Sequence, residues 1–296
     1  MWVVSGRSLW QWRREAIARA AAAGIEQAEL DWLLQSVTTL DSLSLRLETF
    51  QDWEVVEVQR SLPDLTTLWQ QRLEQHVPVQ YLVGKAHWRT FTLSVSPAVL
   101  IPRPETELLI DLAAKQALAT EQIGTTHWAD LGTGSGAIAL GLATVFPNAC
   151  IHAVDCSPSA LAIAQTNAQA HHLQHAIRFY QGDWFAPLHH LVGHLDGMVA
   201  NPPYIPSTMI LELQPEVAHH EPHLALDGGA DGLDYIRHLV ASAPRFLKPG
   251  GMWLVETMAG QAADVVALLE AQGDYCTIQA HADLAGIDRF VLATRR

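Results

Sequence analysis

Trp128-Ala129-Asp130-Leu131-Gly132-Thr133-Gly134-Ser135-Gly136 decides the fold of this 296-residue chain. A short apolar run closes on a glycine-rich turn, and Ala137-Ile138-Ala139-Leu140-Gly141-Leu142-Ala143 continues as an apolar helix. Strand, turn and helix in this order form the first unit of a nucleotide-binding α/β fold. The glycines let a ligand approach the backbone and supply positive φ where the turn needs it. Cys150-Ile151-His152-Ala153-Val154-Asp155 reads as a second strand ending in an acid. A carboxylate at that strand end, about 20 residues past the glycines, can accept both hydroxyls of a ribose.

This spacing fits more than one cofactor. Gly132, Gly134 and Ala137 satisfy a relaxed G-x-G-x-x-G/A, so a nicotinamide dinucleotide is a competitor. Three features favour S-adenosylmethionine. Asp130 stands just before the turn, where a carboxylate suits a cationic amino-acid end and would repel a pyrophosphate. Gly182-Asp183-Trp184 follows a third strand, Ile177-Arg178-Phe179-Tyr180, and offers an acceptor for the adenine amine beside an aromatic wall. Asn201-Pro202-Pro203-Tyr204, after a fourth strand at Asp196-Gly197-Met198-Val199-Ala200, carries no hydride-transfer machinery.

Two consecutive prolines fix φ twice and remove two backbone donors, so the sheet stops at Asn201. What remains is a stiff corner with an amide side chain, free carbonyls and an aromatic face. That set suits a planar NH2 group: Asn201 Oδ1 and the Pro202 carbonyl accept its two hydrogens, and Tyr204 stacks on its plane.

Composition agrees with a globular enzyme. Apolar residues make up 49% and charged ones 17%, outside the range of disordered chains. The formal net charge of −13 argues against a broad nucleic-acid footprint, which is basic. Three cysteines, Cys150, Cys156 and Cys276, without CxxC spacing give neither a disulfide framework nor a zinc site, and reduced thiols point to the cytoplasm. Arg13, Arg14 and Glu15 interrupt any signal-peptide core. The uncharged stretch from Asp130 to Asp155 is broken by glycines and Pro147-Asn148, so no membrane span is expected there. Histidines at 171, 172 and 175, at 189, 190 and 194, and at 219, 220 and 223 lack HExxH or paired thiol patterns. They read as solvated, with no metal.

Residues 1–78 read as a small helical bundle. Ser8-Leu9-Trp10-Gln11 resembles a capping box, and its helix runs to Ala23 before Gly24. Leu30, Leu33, Leu34 and Val37 give the next helical face, and Asp64 to His76 a further one. Trp10, Trp12, Trp32, Trp53 and Trp69 read as bundle core. Within a linker at 79–104, Phe91, Leu93 and Val95 alternate with polar residues as in a strand, which implies a linking β-hairpin. From residue 105 to 296 the doubly wound domain follows, with a fifth strand at Gly251 to Glu256 and a closing antiparallel pair at Tyr275–Ala280 and Arg289–Ala293.

Together these motifs resemble one family. Pro78-Val79-Gln80-Tyr81-Leu82 with Gly84, Leu100-Ile101-Pro102-Arg103-Pro104-Glu105-Thr106-Glu107, the glycine turn, and Asn201-Pro202-Pro203-Tyr204-Ile205 occur in order. Glu221-Pro222, Gly228-Gly229, Asp231-Gly232-Leu233 and the closing Asp283-Leu284, Gly286 and Asp288-Arg289 extend the match. The chain is similar to peptide chain release factor N5-glutamine methyltransferases, the PrmC/HemK family, from about residue 63 to the end. The segment Ile101 to Glu107 makes that match specific.

The resemblance implies a Rossmann-like seven-stranded methyltransferase sheet with the last strand antiparallel, S-adenosyl-L-methionine as donor and S-adenosyl-L-homocysteine as product. As acceptor it implies the glutamine of a Gly-Gly-Gln loop in class 1 release factors, with the helical front recognising that protein. Carried over by position, Asp130, Gly132, Thr133, Gly134, Ser135, Gly136, Asp155, Asp183, Trp184 and Asn201 would hold the cofactor. Asn201, Pro202, Pro203 and Tyr204 would hold the glutamine, with Asn201, Pro202 and Tyr204 as catalytic residues. The family usually shows Glu-His-Gly after the fifth strand, where this chain has Glu256-Thr257-Met258. An enzyme methylating an exocyclic amine of an RNA or DNA base also uses an Asn-Pro-Pro-aromatic grip and remains the alternative.

Overall fold

The structure, a computed structural model, describes residues 1–119 and 126–296. Its contacts divide the chain into two units, residues 1–85 with 214–220 and residues 86–213 with 221–296.

The first unit is mainly helical, with helices at Gly6–Ala22, Gln27–Val37, Ser42–Leu47, Leu62–Gln75 and Val79–Val83. Leu30, Leu33 and Leu34, at helical spacing, meet Leu9, Leu65 and Trp69 in its core. The first helix starts earlier than Ser8 suggests. Ser5 is its N-cap, accepting the Ser8 backbone N–H at 3.1 Å. A reciprocal capping box does occur, at Ser61 and Asp64. Trp2–Val4 and Val56–Val58 pair as antiparallel strands. Three residues each are too few to show a two-residue period, so an all-helical reading missed them. Of the five tryptophans assigned to the core, Trp69 is buried and Trp10, Trp12 and Trp32 pack at its edge, while Trp53 is exposed. Arg13 is buried and held by Asp31 at 2.8 Å and Glu48 at 3.0 Å, the partners a buried guanidinium requires.

The strands Lys85–Trp88 and Phe91–Ser94 pair as a two-stranded sheet where the second unit begins at Ala86, followed by the main sheet of that unit. Its strands are β1 (His127–Leu131), β2 (Cys150–Asp155), β3 (Ile177–Gln181), β4 (Leu195–Ala200), β5 (Leu247–Glu256), β6 (Tyr275–Ala282) and β7 (Asp288–Arg295). Their spatial order is β6-β7-β5-β4-β1-β2-β3. Only the last strand, β7, is antiparallel to its neighbours, as expected from the sequence.

Central strands bury both faces, so their sequences are near-continuous apolar runs. Trp128, Ile151, Val199 and Leu254 pack with the helices Glu107–Ala119 and Ala137–Val145. Ala129, Val154, Met198 and Trp253 pack with Asp234–Phe246 and Ala262–Gln272. Register then fixes what emerges at the strand ends: Leu131 lies opposite both Val154 and Ala200, and Ala200 opposite Val255. The turn after β1, the acid closing β2, the corner after β4 and the end of β5 therefore share one edge.

At the other end of β1 and β2, buried His152 bonds His127 through Nε2 at 3.0 Å and the Tyr180 hydroxyl through Nδ1 at 3.1 Å. Burial pushes His152 down to about 4, so it stays neutral. Cys150 completes a group of metal-type donors within 4.8 Å of one another that the sequence reading did not single out. Both nitrogens of His152 are already used in hydrogen bonds. Among the described residues no helix is long and apolar enough to cross a membrane.

Gly197 in β4 is required by packing. A Cβ there would lie 2.4 Å from Cζ3 of Trp128, which is itself fully buried and stacked on Phe146 at 4.5 Å. Gly197→Ala is expected to lower unfolding stability by about 1–3 kcal/mol in urea titration, the usual cost of overpacking. A loss below about 0.5 kcal/mol, typical of an unconstrained surface site, would contradict this packing.

Candidate active site

The shared strand edge opens into a cleft bordered by Gly132, Thr133, Gly134 and Ser135 after β1, Asp155, Cys156 and Ser157 after β2, and Gly182, Asp183 and Trp184 after β3. Asn201 and Pro203 after β4 complete the floor. This is the topological switch point of the sheet, where β1 is flanked by β4 and β2 and the chain leaves in opposite directions, the usual place for a ligand in open α/β sheets.

The turn is shaped by its glycines. Gly132 and Gly134 have φ of 79° and 54°, and a Cβ on Gly134 would meet no atom within 4 Å, so its side faces open space. Asp155 Oδ2 accepts the Gly134 N–H at 2.9 Å and Oδ1 accepts that of Ser157 at 2.9 Å. These bonds orient the carboxylate, and each oxygen keeps a lone pair for a hydroxyl. Trp184 adopts φ of 51° and packs against Tyr235 with ring centroids 5.3 Å apart, forming an aromatic wall.

The corner at Asn201 is braced from several sides. Ile205 N donates to Leu226 O at 3.0 Å, Gly228 N to Ile205 O at 2.8 Å, and Gln261 Nε2 to Tyr204 O at 3.0 Å. Asn201 Nδ2 donates to Thr106 Oγ1 at 3.3 Å. The Tyr204 hydroxyl donates to Glu256 Oε1 at 3.1 Å. Burial and the neighbouring Glu256 raise the Tyr204 pKa further, so it stays protonated.

Most residues expected in the site do border the cleft, but four stand elsewhere. Gly136 faces the helix Pro158–Ala170, where a Cβ would lie 3.1 Å from that of Ala164, so it serves close packing. Pro202 is buried behind the corner. Tyr204 is not among the residues that border the cleft, and its hydroxyl donates to Glu256. Asp130, expected to face a ligand's cationic end, is fully buried beneath the turn.

Sequence reasoning did not assign the other wall. Ala98, Val99, Leu100, Pro102, Arg103 and Thr106 border the cleft, facing Pro222, Leu224 and Ala225. Arg103 Nη2 meets the buried Glu221 at 2.7 Å and ties these two segments together. The signal was visible as Arg103 between two prolines and Glu221 before Pro222, but the partners are 118 positions apart.

The Methyltransferase small domain family matches residues 106–218. A release factor glutamine methyltransferase of Synechocystis is 53% identical, with 98% of this chain and 97% of that protein covered. One from Thermosynechococcus vestitus is 46% identical over 98% and 99%. The hMettl16 catalytic domain, solved with a MAT2A 3'UTR hairpin, has a TM-score of 0.56 at 13% identity and 88% coverage of both chains, a likeness of fold.

Asp130 Oδ2 accepts from Thr133 Oγ1 at 2.5 Å and from Ala139 N at 2.9 Å, while Oδ1 has no hydrogen-bond partner. Burial raises its pKa to about 7. The folded state therefore holds a proton that the unfolded chain releases, and stability falls as pH rises from about 4 to about 7. Asp130→Asn reproduces the protonated form. It should raise Tm at pH 8 and leave it nearly unchanged at pH 4; a loss of Tm at pH 8 would contradict this role.

Proposed function

The chain belongs to the release factor glutamine methyltransferase family, and on that premise we propose that it methylates the side-chain amide nitrogen of the glutamine in the Gly-Gly-Gln loop of class 1 release factors, with S-adenosylmethionine as donor. The observation that carries this reading is Asn201, held at the strand edge beside the glycine turn and bordering the same cleft. The residues present fit the donor. Asp155 offers oriented acceptors for a ribose, Asp183 and Trp184 an acceptor and a wall for adenine, and the open side of Gly134 leaves room beside the backbone.

When bound, S-adenosylmethionine supplies an electrophilic methyl on a sulfonium. What the protein must add is alignment and a dry, preorganised polar surface. A glutamine amide nitrogen is a weak nucleophile because its lone pair is delocalised into the carbonyl. Asn201 Oδ1, on a residue that borders the cleft, would accept one of its N–H groups and favour positive charge on that nitrogen as it is alkylated. The proline pair cannot donate and scarcely bends, so the grip is fixed before substrate arrives. No general base is needed, since the alkylated amide is acidic enough to lose its proton to water.

Recognition of the protein substrate we assign to residues 1–78. The acidic excess of the chain, −13 overall, suits a partner whose functional surface contacts ribosomal RNA and is basic. The same charge disfavours RNA itself as acceptor.

Purified protein with labelled S-adenosylmethionine should label a release factor and leave its Gln→Ala loop variant, tRNA and rRNA unlabelled. Label in either RNA with none in the release factor would overturn the proposal. Asn201→Ala should reduce transfer at least about 100-fold, the order that loss of a charge-stabilising contact costs. Its affinity for S-adenosylhomocysteine in calorimetry should stay close to that of the parent, and equal loss of both would contradict the role given to Asn201.

A further inference from the structure

At the starts of β1 and β2, the end of the sheet away from the cleft, three metal-type donors converge. His127 opens β1 and lies opposite Cys150, which opens β2. His152 stands two residues past Cys150, and residues two apart on a strand share a face. His127 Nδ1 and His152 Nε2 are 3.0 Å apart, and the Cys150 sulfur completes the group within 4.8 Å. His152 is fully buried, while His127 and Cys150 are half-buried, so the group is open to solvent on one side.

This spacing is close to that of a tetrahedral metal centre. Bonds of about 2.0–2.1 Å to imidazole nitrogen and about 2.3 Å to sulfur set two nitrogens about 3.3 Å apart, and nitrogen and sulfur about 3.6 Å apart. The two rings need to separate only slightly, and rotation about the Cα–Cβ bond of Cys150 brings the sulfur in. The bond between the rings does not oppose an ion. One proton sits between two nitrogens that face each other, which is the position an ion bridging them would take. His152 Nδ1 lies 3.1 Å from the Tyr180 hydroxyl. With Nδ1–H donating to that oxygen, Nε2 keeps its lone pair, the arrangement that orients a ligating histidine.

We propose that His127, Cys150 and His152 form a zinc site, with water as the fourth ligand, that clamps the start of β1 to the start of β2. The donor set selects the ion. Two imidazoles and a thiolate suit Zn2+, whereas Mg2+ and Ca2+ take oxygen donors. On binding, two nitrogen–zinc bonds and one sulfur–zinc bond form. Cys150 gives its thiol proton to solvent, and the proton between the rings moves to the other nitrogen of His127. The ion lies at the opposite end of the strands from Asn201 and takes no part in methyl transfer, so the site is independent of the function proposed above.

The surrounding charges permit a dication. Burial favours the uncharged His152 ring, the form that ligates. Arg178 lies opposite His152 on β3, and a thiolate at Cys150 offsets its charge. Asp196 Oδ2 accepts the His127 N–H at 2.8 Å and brings a carboxylate to the site, while its Oδ1 pairs with Lys248 at 2.8 Å. His190, with its ring centroid 6.3 Å from that of His152, and His194 are the other titratable groups that act on the two rings.

Co2+, a coloured ion that occupies tetrahedral zinc sites, is the probe. The full chain, reduced and stripped of metal with a chelator, should bind one equivalent of Co2+ tightly. A sulfur-to-cobalt charge-transfer band should appear with the d–d bands of a tetrahedral ion, and one equivalent of Zn2+ should abolish both. Cys150→Ser should lose the charge-transfer band. His127→Gln should weaken Zn2+ binding in calorimetry at least about tenfold, the low end of what losing even an outer hydrogen-bond partner costs a metal site. Substitution of the exposed His175 by Gln, or of Cys156 and Cys276 by Ser, should change neither readout. These variants and His127→Gln keep Cys150, so they decide the matter even where Cys150→Ser does not fold. No charge-transfer band in the unmodified protein, a band that follows Cys156 or Cys276, or a Zn2+ affinity that His127→Gln leaves unchanged would overturn the proposal.

Discussion

The register between β1 and its two neighbours is the constraint on which the rest depends. Leu131 lies opposite Val154 on one side and Ala200 on the other. A parallel sheet of this kind releases its chains at one edge, so the residues just beyond those three must meet. Shifting β4 by one residue would exchange its two apolar faces and carry Asn201 away from the glycine turn. Trp128 packed over Gly197 opposes that shift, since a neighbouring strand position with a side chain would not fit the ring. The position of the Asn201 corner is thus held by core packing several residues away.

The second theme is the cost of keeping carboxyl groups at a dry edge. Asp130, Asp155, Glu221 and Glu256 all have pKa values raised by burial. Each is held by different means: Thr133 and a helix N–H for Asp130, two backbone amides for Asp155, Arg103 for Glu221, the Tyr204 hydroxyl for Glu256. Only Asp155 among them borders the cleft. The others brace the turn, the mouth and the corner.

Strand identity and order along the chain were legible because buried parallel strands are apolar runs with abrupt ends at Gly, Asp or Pro. The glycine turn, Asp155, Asp183, Trp184 and Asn201 were legible for the same reason, since each follows directly on such an end. Long-range pairing was not. Nothing local to Asn201 indicates Thr106, 95 positions earlier, or shows that Tyr204 turns to Glu256. Asp130 was misassigned because sequence places it beside the turn but not on which side of it. Gly136 looked like part of a ligand cradle, yet its missing side chain makes room for Ala164. The capping residue of the first helix slipped by three because Ser5 and Ser8 are equally able to cap, and only the chain path at Trp53, whose carbonyl accepts the Gly6 N–H, decides between them.

The account stands or falls on whether donor and acceptor meet at this edge. A crystal structure with S-adenosylhomocysteine and a Gly-Gly-Gln peptide tests that most directly. It should show the nucleoside along Gly132–Ser135, Asp155 and Trp184, and the glutamine amide against Asn201, with space for one methyl group between sulfur and nitrogen. A nucleoside bound outside this cleft, or a glutamine with residues 201–204 turned away from it, would contradict the account.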